Sequence, residues 1–453
     1  MNPVRLLALF ALCVPIPPAF GSAGDNATLP ERLFPGLDQI LRDTMNQSPG
    51  VVLRNLDLEI AHGDEMQAKS GQYPAVGGYL SYQWARESRE GIANPYNAGL
   101  LNYAFSVSQP IWRWNSLRNN ARMGEIRRKM AERQYEDGYR LLAQQIRGSY
   151  LDLIVRKAAA DQAKFSQKLA DSALQLMQDR LAKGGVSGGE VFNADMAAQQ
   201  ARLTTDRTDE DLHQALISFR RLIGQTTFDI GQVPDDIPRI YGGEDVPSRL
   251  LGDFLSQKEP ENNDILILRQ QLQTESLFLE IQRKRLYPMF TATAGFIQSR
   301  QQYSITAGSP LYKVADRYVG VSVNWSVFDG LATRAAIMGS RARQRQDEIR
   351  YKQAAENLPE DAQHAAKLTD LALRQMRIND RLFEDRGTYL QAREQDFKQG
   401  AASETDLNAV RASFIQTKIT AYSYRAAYLQ QLGDFLGFIM QDPVVQQVKV
   451  KRP

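Results

Sequence analysis

Few residues of this 453-residue chain have the type and spacing of a reactive centre. His62, His213 and His364 stand far apart, so no pair has metal-ligand spacing, and Cys13 is the single thiol. The glycine-rich turns lack the lysine and hydroxyl that complete a phosphate loop. Carboxylates are plentiful, but on polar helices they mostly solvate a face. Three stand out by position. Glu190 follows the glycines of KGGVSGGEVFNA (Lys183–Ala194), and Glu404 and Asp406 follow Gly400 in KQGAASETDLNA (Lys398–Ala409). A carboxylate at such a place stabilises a helix N-terminus through the dipole. No enzymatic chemistry is expected, and neither a metal nor a cofactor.

The elements that must carry these turns come twice. GQYPAVGGYLSY (Gly71–Tyr82) pairs with RLYPMFTATAGF (Arg285–Phe296) at an offset of 214, through Tyr73-Pro74 and Tyr287-Pro288. SVSQPIWRWNSLRNNAR (Ser106–Arg122) pairs with SVNWSVFDGLATRAAIM (Ser322–Met338) at 216. The glycine turns match at 215, with Gly185 on Gly400 and Asn193 on Asn408, and ALISFRRLIG (Ala215–Gly224) pairs with AYLQQLGDFLG (Ala427–Gly437). Four pairs in one order mark a duplication. Repeat 1 is expected over residues 24–225, a Pro- and Gly-containing linker over 226–248, repeat 2 over 249–438 and a tail over 439–453.

Each repeat has a helical lead-in, at about Leu37–Gln72 with an interruption near Pro49 and at Leu250–Leu286. Two alternating segments follow, at about 75–108 and 289–327. Leu80, Tyr82 and Trp84 oppose Tyr79, Ser81 and Gln83; Leu101, Tyr103, Phe105 and Val107 oppose Asn102, Ala104, Ser106 and Ser108. Phe290, Ala292, Ala294 and Phe296, then Val319, Val321, Val323 and Trp325, repeat the alternation. Period-two patterning predicts strands with one greasy and one wet face, about 8–10 residues each. The hairpin tips between them are polar.

After the strands the period changes to that of a helix. No proline occurs from Ile111 to Val233. Tyr135, Tyr139, Leu142, Ile146, Tyr150 and Leu153 recur at threes and fours, one stripe of a helix reaching roughly 100 Å at ~1.5 Å per residue. The turns Gly184, Gly185, Gly188, Gly189 and Gly400 reverse such rods, because a tight reversal needs positive-φ backbone. Pro359 falls inside the second rod, where a proline kinks or breaks the helix.

The whole-chain totals restrict the setting. A mean hydropathy of −0.42 excludes a conventional inner-membrane protein, and a net charge of +3 without a basic stripe excludes a dedicated nucleic-acid binder. Residues 1–23 have Arg5, the apolar core LLALFALCV and small residues near 19–23, which predicts a cleaved export signal. Leu12 stands where lipid attachment to Cys13 would want a small residue. No later run reaches the ~18 apolar residues of a spanning helix, so a membrane could be crossed only by strands. In lipid a four-stranded sheet must close, and four strands cannot close a barrel alone, so several copies must contribute. Two copies would make eight strands around a packed interior. Three would make twelve around a channel, which the Ser, Thr, Asn and Gly faces favour.

YPAVGG, YPMFTA, SQPIWRW, NWSVFDG and the two glycine turns, in their duplicated order, make the chain resemble the TolC-like family of outer-membrane efflux proteins. The resemblance implies a mainly α fold with a small β part. In it a helix–strand–strand–helix–helix repeat builds a homotrimeric 12-stranded barrel in outer-membrane lipid, continued by a periplasmic α-helical tunnel. It also implies an exit duct of a tripartite efflux or type I secretion system, joined through a periplasmic adaptor to an inner-membrane transporter of ABC or RND type. Asp406, with Glu404 and Glu190 as neighbours, becomes a gate candidate. Three aspartates around an axis would focus a negative field, favour cations and raise one another's pKa. The family's usual second acid a turn later is replaced by Ala409 and Val410. Gly184, Gly185, Gly188, Gly189, Gly400 and Ser403 become docking tips. Trp84, Tyr82, Tyr103, Phe105, Trp112 and Trp325, with Trp114 and Phe328, become interface aromatics. The alternative is a periplasmic adaptor or coiled-coil scaffold without a channel, which would need neither the duplication nor lipid-facing strands.

Overall fold

A computed structural model describes residues 28–87, 96–243, 245–302 and 311–446. The export segment with Cys13, the centres of both strand-hairpin tips and the tail beyond 446 lie outside the described residues. The elements run α1 (Pro30–Leu33), α2 (Pro35–Gln47), α3 (Pro49–Ser70), β1 (Ala75–Glu87), β2 (Tyr96–Trp112), α4 (Ser116–Ala182) and α5 (Gly188–Ile223). The second half continues α6 (Val246–Leu255), α7 (Asn263–Arg283), β3 (Met289–Gln302), β4 (Leu311–Asn324), α8 (Ala332–Lys398), α9 (Glu404–Phe438) and α10 (Pro443–Gln446). The second lead-in is two helices, since the chain breaks across Pro260, which cannot donate to a helical ladder.

The four strands form one antiparallel sheet in the order β1-β2-β3-β4. Its register carries the greasy face across every strand: Leu80 pairs with Tyr103, Phe105 with Phe296 and Ala294 with Val319. The reverse face lines up Gly77, Ser106, Gly295 and Tyr318. Only glycine fits at 295, where a Cβ would meet the Tyr318 ring and lie 2.8 Å from the Phe105 carbonyl oxygen. The strands have 13, 17, 14 and 14 residues, longer than the expected 8–10. Backbone pairing persists past the greasy band, whose alternation set the expected length.

Below the sheet the helices keep the same lateral order, α3 beside α4, α4 beside α7 and α7 beside α8; farther down, α5-α4-α9-α8 lie side by side. Each rod, α4 and α8, has 67 residues, about 100 Å at 1.5 Å per residue. Pro359 does not break α8, which runs unbroken from Ala332 to Lys398. Leu358 and Ala362 beside it are buried in the core, so packing holds the helix through the missing hydrogen bond.

That core is a girdle at mid-length. It joins Phe34, Leu37 and Leu41 of α2 and the turn before it to Ile146, Tyr150 and Leu153 of α4, Met376 of α8 and Leu432 and Phe435 of α9. The linker is part of it, since Phe228, Val233, Ile237 and Ile240 are buried there. The buried Arg147 guanidinium donates to Glu31 and Asp442, both at 2.6 Å, tying the two ends of the described chain to the middle of α4.

Among the described residues, the left-handed backbone positions outside the linker recur at one interval. Trp114, Asn115, Gly184 and Gly224 have left-handed φ, and Gly330, Leu331, Gly400 and Met440 repeat them in order at one constant offset. At the tips the equivalence is therefore Gly184 with Gly400, one position from the sequence match of Gly185.

Candidate gate, docking tips and membrane girdle

Both hairpin tips are built by one local device. α4 ends at Ala182, Gly184 turns the chain at φ 74°, and the Gly185 N–H donates to the Arg180 carbonyl at 2.8 Å. α8 ends at Lys398, Gly400 turns it at φ 75°, and the Ala401 N–H donates to the Asp396 carbonyl at 2.8 Å. Such 6→1 bonds satisfy carbonyls that the ending helix leaves open. A serine then starts each return helix. Ser187 accepts from the Glu190 N–H at 3.3 Å, and its own N–H donates to the Glu190 carboxylate at 2.7 Å. Ser403 and Asp406 repeat this at 3.0 and 3.4 Å. These are reciprocal capping boxes.

Glu190 and Asp406 are thus equivalent residues, both exposed and both committed to a helix start. Hydrogen bonds from Ser403, with the Arg393 charge nearby, hold the Asp406 carboxyl below its ordinary range. Hydrogen bonds from Ser187 do the same for Glu190. Within one chain the shift is therefore opposite to the rise expected from a ring of carboxylates. Glu404 occupies the first turn of α9 and is exposed. Gly188 and Gly189 open α5 and are exposed; neither has positive φ. Exposed Phe192 and Leu181 flank the first tip, and Phe397 precedes the second.

Sequence reading missed two cross-helix ties and one bond within α8 above the tips. Arg202 meets Asp171 at 2.8 Å, Arg411 meets Glu394 at 3.0 Å, and Arg393 donates to the Tyr389 hydroxyl at 3.1 Å. The first two pairings follow from where each hairpin turns. They become readable only when both arms are counted from Gly184 and Gly400.

The aromatics sort by height on the sheet. Trp112 and Trp325 are exposed at the helix end, where the Trp325 Nε1 donates to the Leu286 carbonyl at 3.0 Å. Trp114 donates to the Pro288 carbonyl at 2.7 Å and stacks edge-on against Tyr287. Tyr82 and Trp84 are exposed toward the far end of β1, Trp84 opposite Gly99. Tyr103 and Phe105 lie halfway along β2, where Tyr103 donates to Gln298 at 2.6 Å. Phe328 is exposed in the passage from β4 to α8.

Among the described residues no helix is long and apolar enough to cross a membrane, and no cluster of His, Cys, Asp and Glu could hold a metal. No curated protein matches the chain in sequence. The solved structures that share its fold include three outer membrane proteins. The outer membrane protein VceC of Vibrio cholerae is 14% identical, with 90% of this chain and 97% of that one covered, at a TM-score of 0.65. The Campylobacter jejuni CmeC outer membrane channel is 13% identical, covering 90% and 86%, at 0.70. The open-state MtrE outer membrane channel of Neisseria gonorrhoeae is 13% identical, covering 89% of each chain, at 0.64. The family model for the outer membrane efflux protein matches residues 41–225 and 255–434, nearly all of both halves, and the chain belongs to that family.

Proposed function

We propose that three copies of this chain close a 12-stranded barrel in the outer membrane and extend it as an α-helical tunnel through the periplasm. The complex then serves as the passive exit duct of a tripartite efflux or type I secretion system. The observation that carries this is the open sheet: four strands share one continuous apolar face, while among the described residues the edges β1 and β4 have no further strand beside them. Lipid leaves no backbone group unpaired, so both edges require another copy. α3 and α8 stand at the corresponding edges of the helix layer, so one closure would serve barrel and tunnel together.

Dimensions agree with this. Trp84 faces Gly99, and the path along β2 from Gly99 to Trp112 is about 40 Å at ~3.3 Å per residue. Tilted by ~40°, that path rises about 30 Å, the thickness of a hydrocarbon core. Trp84 and Tyr82 would then mark one interface and Trp112 and Trp325 the other, with Tyr103 and Phe105 in the lipid between them. The reverse face, with Ser106, Ser108, Thr291, Thr293 and Ser322, lines the lumen.

As a family member the protein resides in the outer membrane and reaches into the periplasm. The glycine tips, farthest from the sheet, are where the duct closes and where a periplasmic adaptor docks, linking it to an inner-membrane transporter of ABC or RND type. Three Asp406 carboxylates, with Glu404 and Glu190 near them, form the entrance field. Purified protein reconstituted in planar bilayers tests the channel: discrete conductance steps are expected, and an electrically silent bilayer with the protein inserted contradicts it.

A further inference from the structure

Charge is unevenly placed where strands become helices. In the four joining stretches, residues 70–74, 112–118, 284–288 and 325–334, the cations are Arg113, Arg118, Lys284, Arg285 and Arg334, against the single carboxylate Asp329. Asp329 is already engaged, accepting from the Thr333 N–H at 3.0 Å and its hydroxyl at 2.7 Å. Five positive charges against one negative leave four per chain. Arg118 and Arg334 are both exposed, and among the described residues neither has an ion-pair partner.

These two arginines are equivalent. They are separated by the same offset as the left-handed backbone positions, and each is the third residue of its rod. Exposed apolar side chains immediately precede them: Ile111 and Trp112 before Arg118, and Trp325, Val327, Phe328 and Leu331 before Arg334. An apolar band that ends in unpaired arginines is the profile of a membrane–water boundary, where long cationic side chains reach headgroup phosphates.

The face is set by the girdle. α2 packs as a second layer against α4, and Phe34 in the turn before it rests on Tyr150. A second layer cannot stand in the duct, so Tyr150 marks the outside. Arg122 precedes Tyr150 by four whole heptads, and Arg118 lies one turn above Arg122, so both follow the outer stripe. Arg127, two and a half turns on from Arg118, points to the opposite face.

We propose that Arg118 and Arg334 bind the phosphates of anionic phospholipids in the periplasmic leaflet, a ring of six arginines in the trimer that fixes the depth of the barrel. This rests on the trimeric-barrel reading. Native mass spectrometry of the detergent-solubilised full-length protein reports trimer and bound lipid in one spectrum, so the two can fail separately. The probes are phosphatidylglycerol and phosphatidylcholine with matched acyl chains. Wild type is expected to retain phosphatidylglycerol preferentially, and R118Q/R334Q to lose about fivefold in that preference per arginine removed, with the trimer intact. R127Q, with one arginine per chain removed from the other face, is expected to behave as wild type. Should the double variant dissociate, R118K/R334K supplies the same charge and is expected to keep the preference as an intact trimer. Equal retention of both lipids by the wild type, or an equal loss per arginine in R127Q, overturns the proposal.

Discussion

The Arg425 guanidinium donates to Asp380 at 2.7 Å inside the second hairpin, and the equivalent places in the first hairpin are held by Asp209 and Lys164, 3.0 Å apart with the charges exchanged. The tie has kept its geometry and reversed its polarity. Its surroundings differ as well. Asp380 and Arg425 are buried, and Arg425 also donates to the Ile237 carbonyl of the linker, while Arg239 reaches Glu384. Lys164 and Asp209 stay in solvent at 55% and 44% exposure.

Burial decides what each tie contributes. Removing one member of the buried pair strands a charge away from water, a loss of about 3–5 kcal/mol, whereas an exposed pair contributes at most about 1 kcal/mol. Arg425→Ala should lower the thermal midpoint followed by circular dichroism clearly, and Asp209→Ala should leave it nearly unchanged. Equal shifts would contradict this.

Arg147 holds the chain ends. With Glu31 and Asp442 both on one buried guanidinium, Arg147→Met leaves two carboxylates without their cation and should cost about 3–5 kcal/mol. Limited proteolysis should then release the segments around 28–34 and 440–446 first. Adding Glu31→Gln and Asp442→Asn should restore part of the resistance, since no charge is then left stranded.

The caps have a pH dependence of fixed sign. Asp406 and Glu190 have folded pKa values below the ordinary 3.8 and 4.5. A lowered carboxylate pKa contributes stability that is complete above the ordinary value and lost as pH falls through the folded value. Hydrogen exchange in the first turns of α5 and α9 should therefore be unchanged between pH 7 and about 5 once the intrinsic rate is divided out. It should quicken below the ordinary carboxylate values. Ser403→Ala should quicken it several-fold in α9 at neutral pH and leave α5 alone.

If Asp406 forms the entrance field, Asp406→Asn should raise single-channel conductance or weaken cation preference in planar bilayers. The bond from the residue 406 N–H to Ser403 is kept in that variant, so an altered channel reports charge and not a lost cap. An unaltered conductance and preference would remove Asp406 from the gate.

Much of this fold was legible because its periodicities are local. The greasy alternation of Leu80, Tyr82 and Trp84 and the three-four spacing of Tyr135 through Leu153 are written in adjacent residues, and the second half states the same pattern again. The turn geometry was legible only to within a residue. Both Gly184 and Gly185 allow positive φ, and only the bond from Gly185 to Arg180 selects the first. The Ser187–Glu190 and Ser403–Asp406 boxes were readable at their spacing of three, and they supply a structural role for residues that also stand as gate candidates. The Arg147 clasp joins residues 116 and 295 positions apart, beyond any local pattern. Pro359 does not end its helix because propensity is local, whereas the packing of Leu358 and Ala362 is not.

The direct test of the closed barrel is disulfide trapping between its edges in a Cys13→Ser background. Single cysteines along β1 at 77, 79, 81 and 83 would be combined with cysteines along β4 at 318, 320 and 322. At least one pair should give a cross-linked ladder that stops at three chains. Cross-linking confined within one chain, or a ladder ending at two, would contradict a barrel shared by three copies.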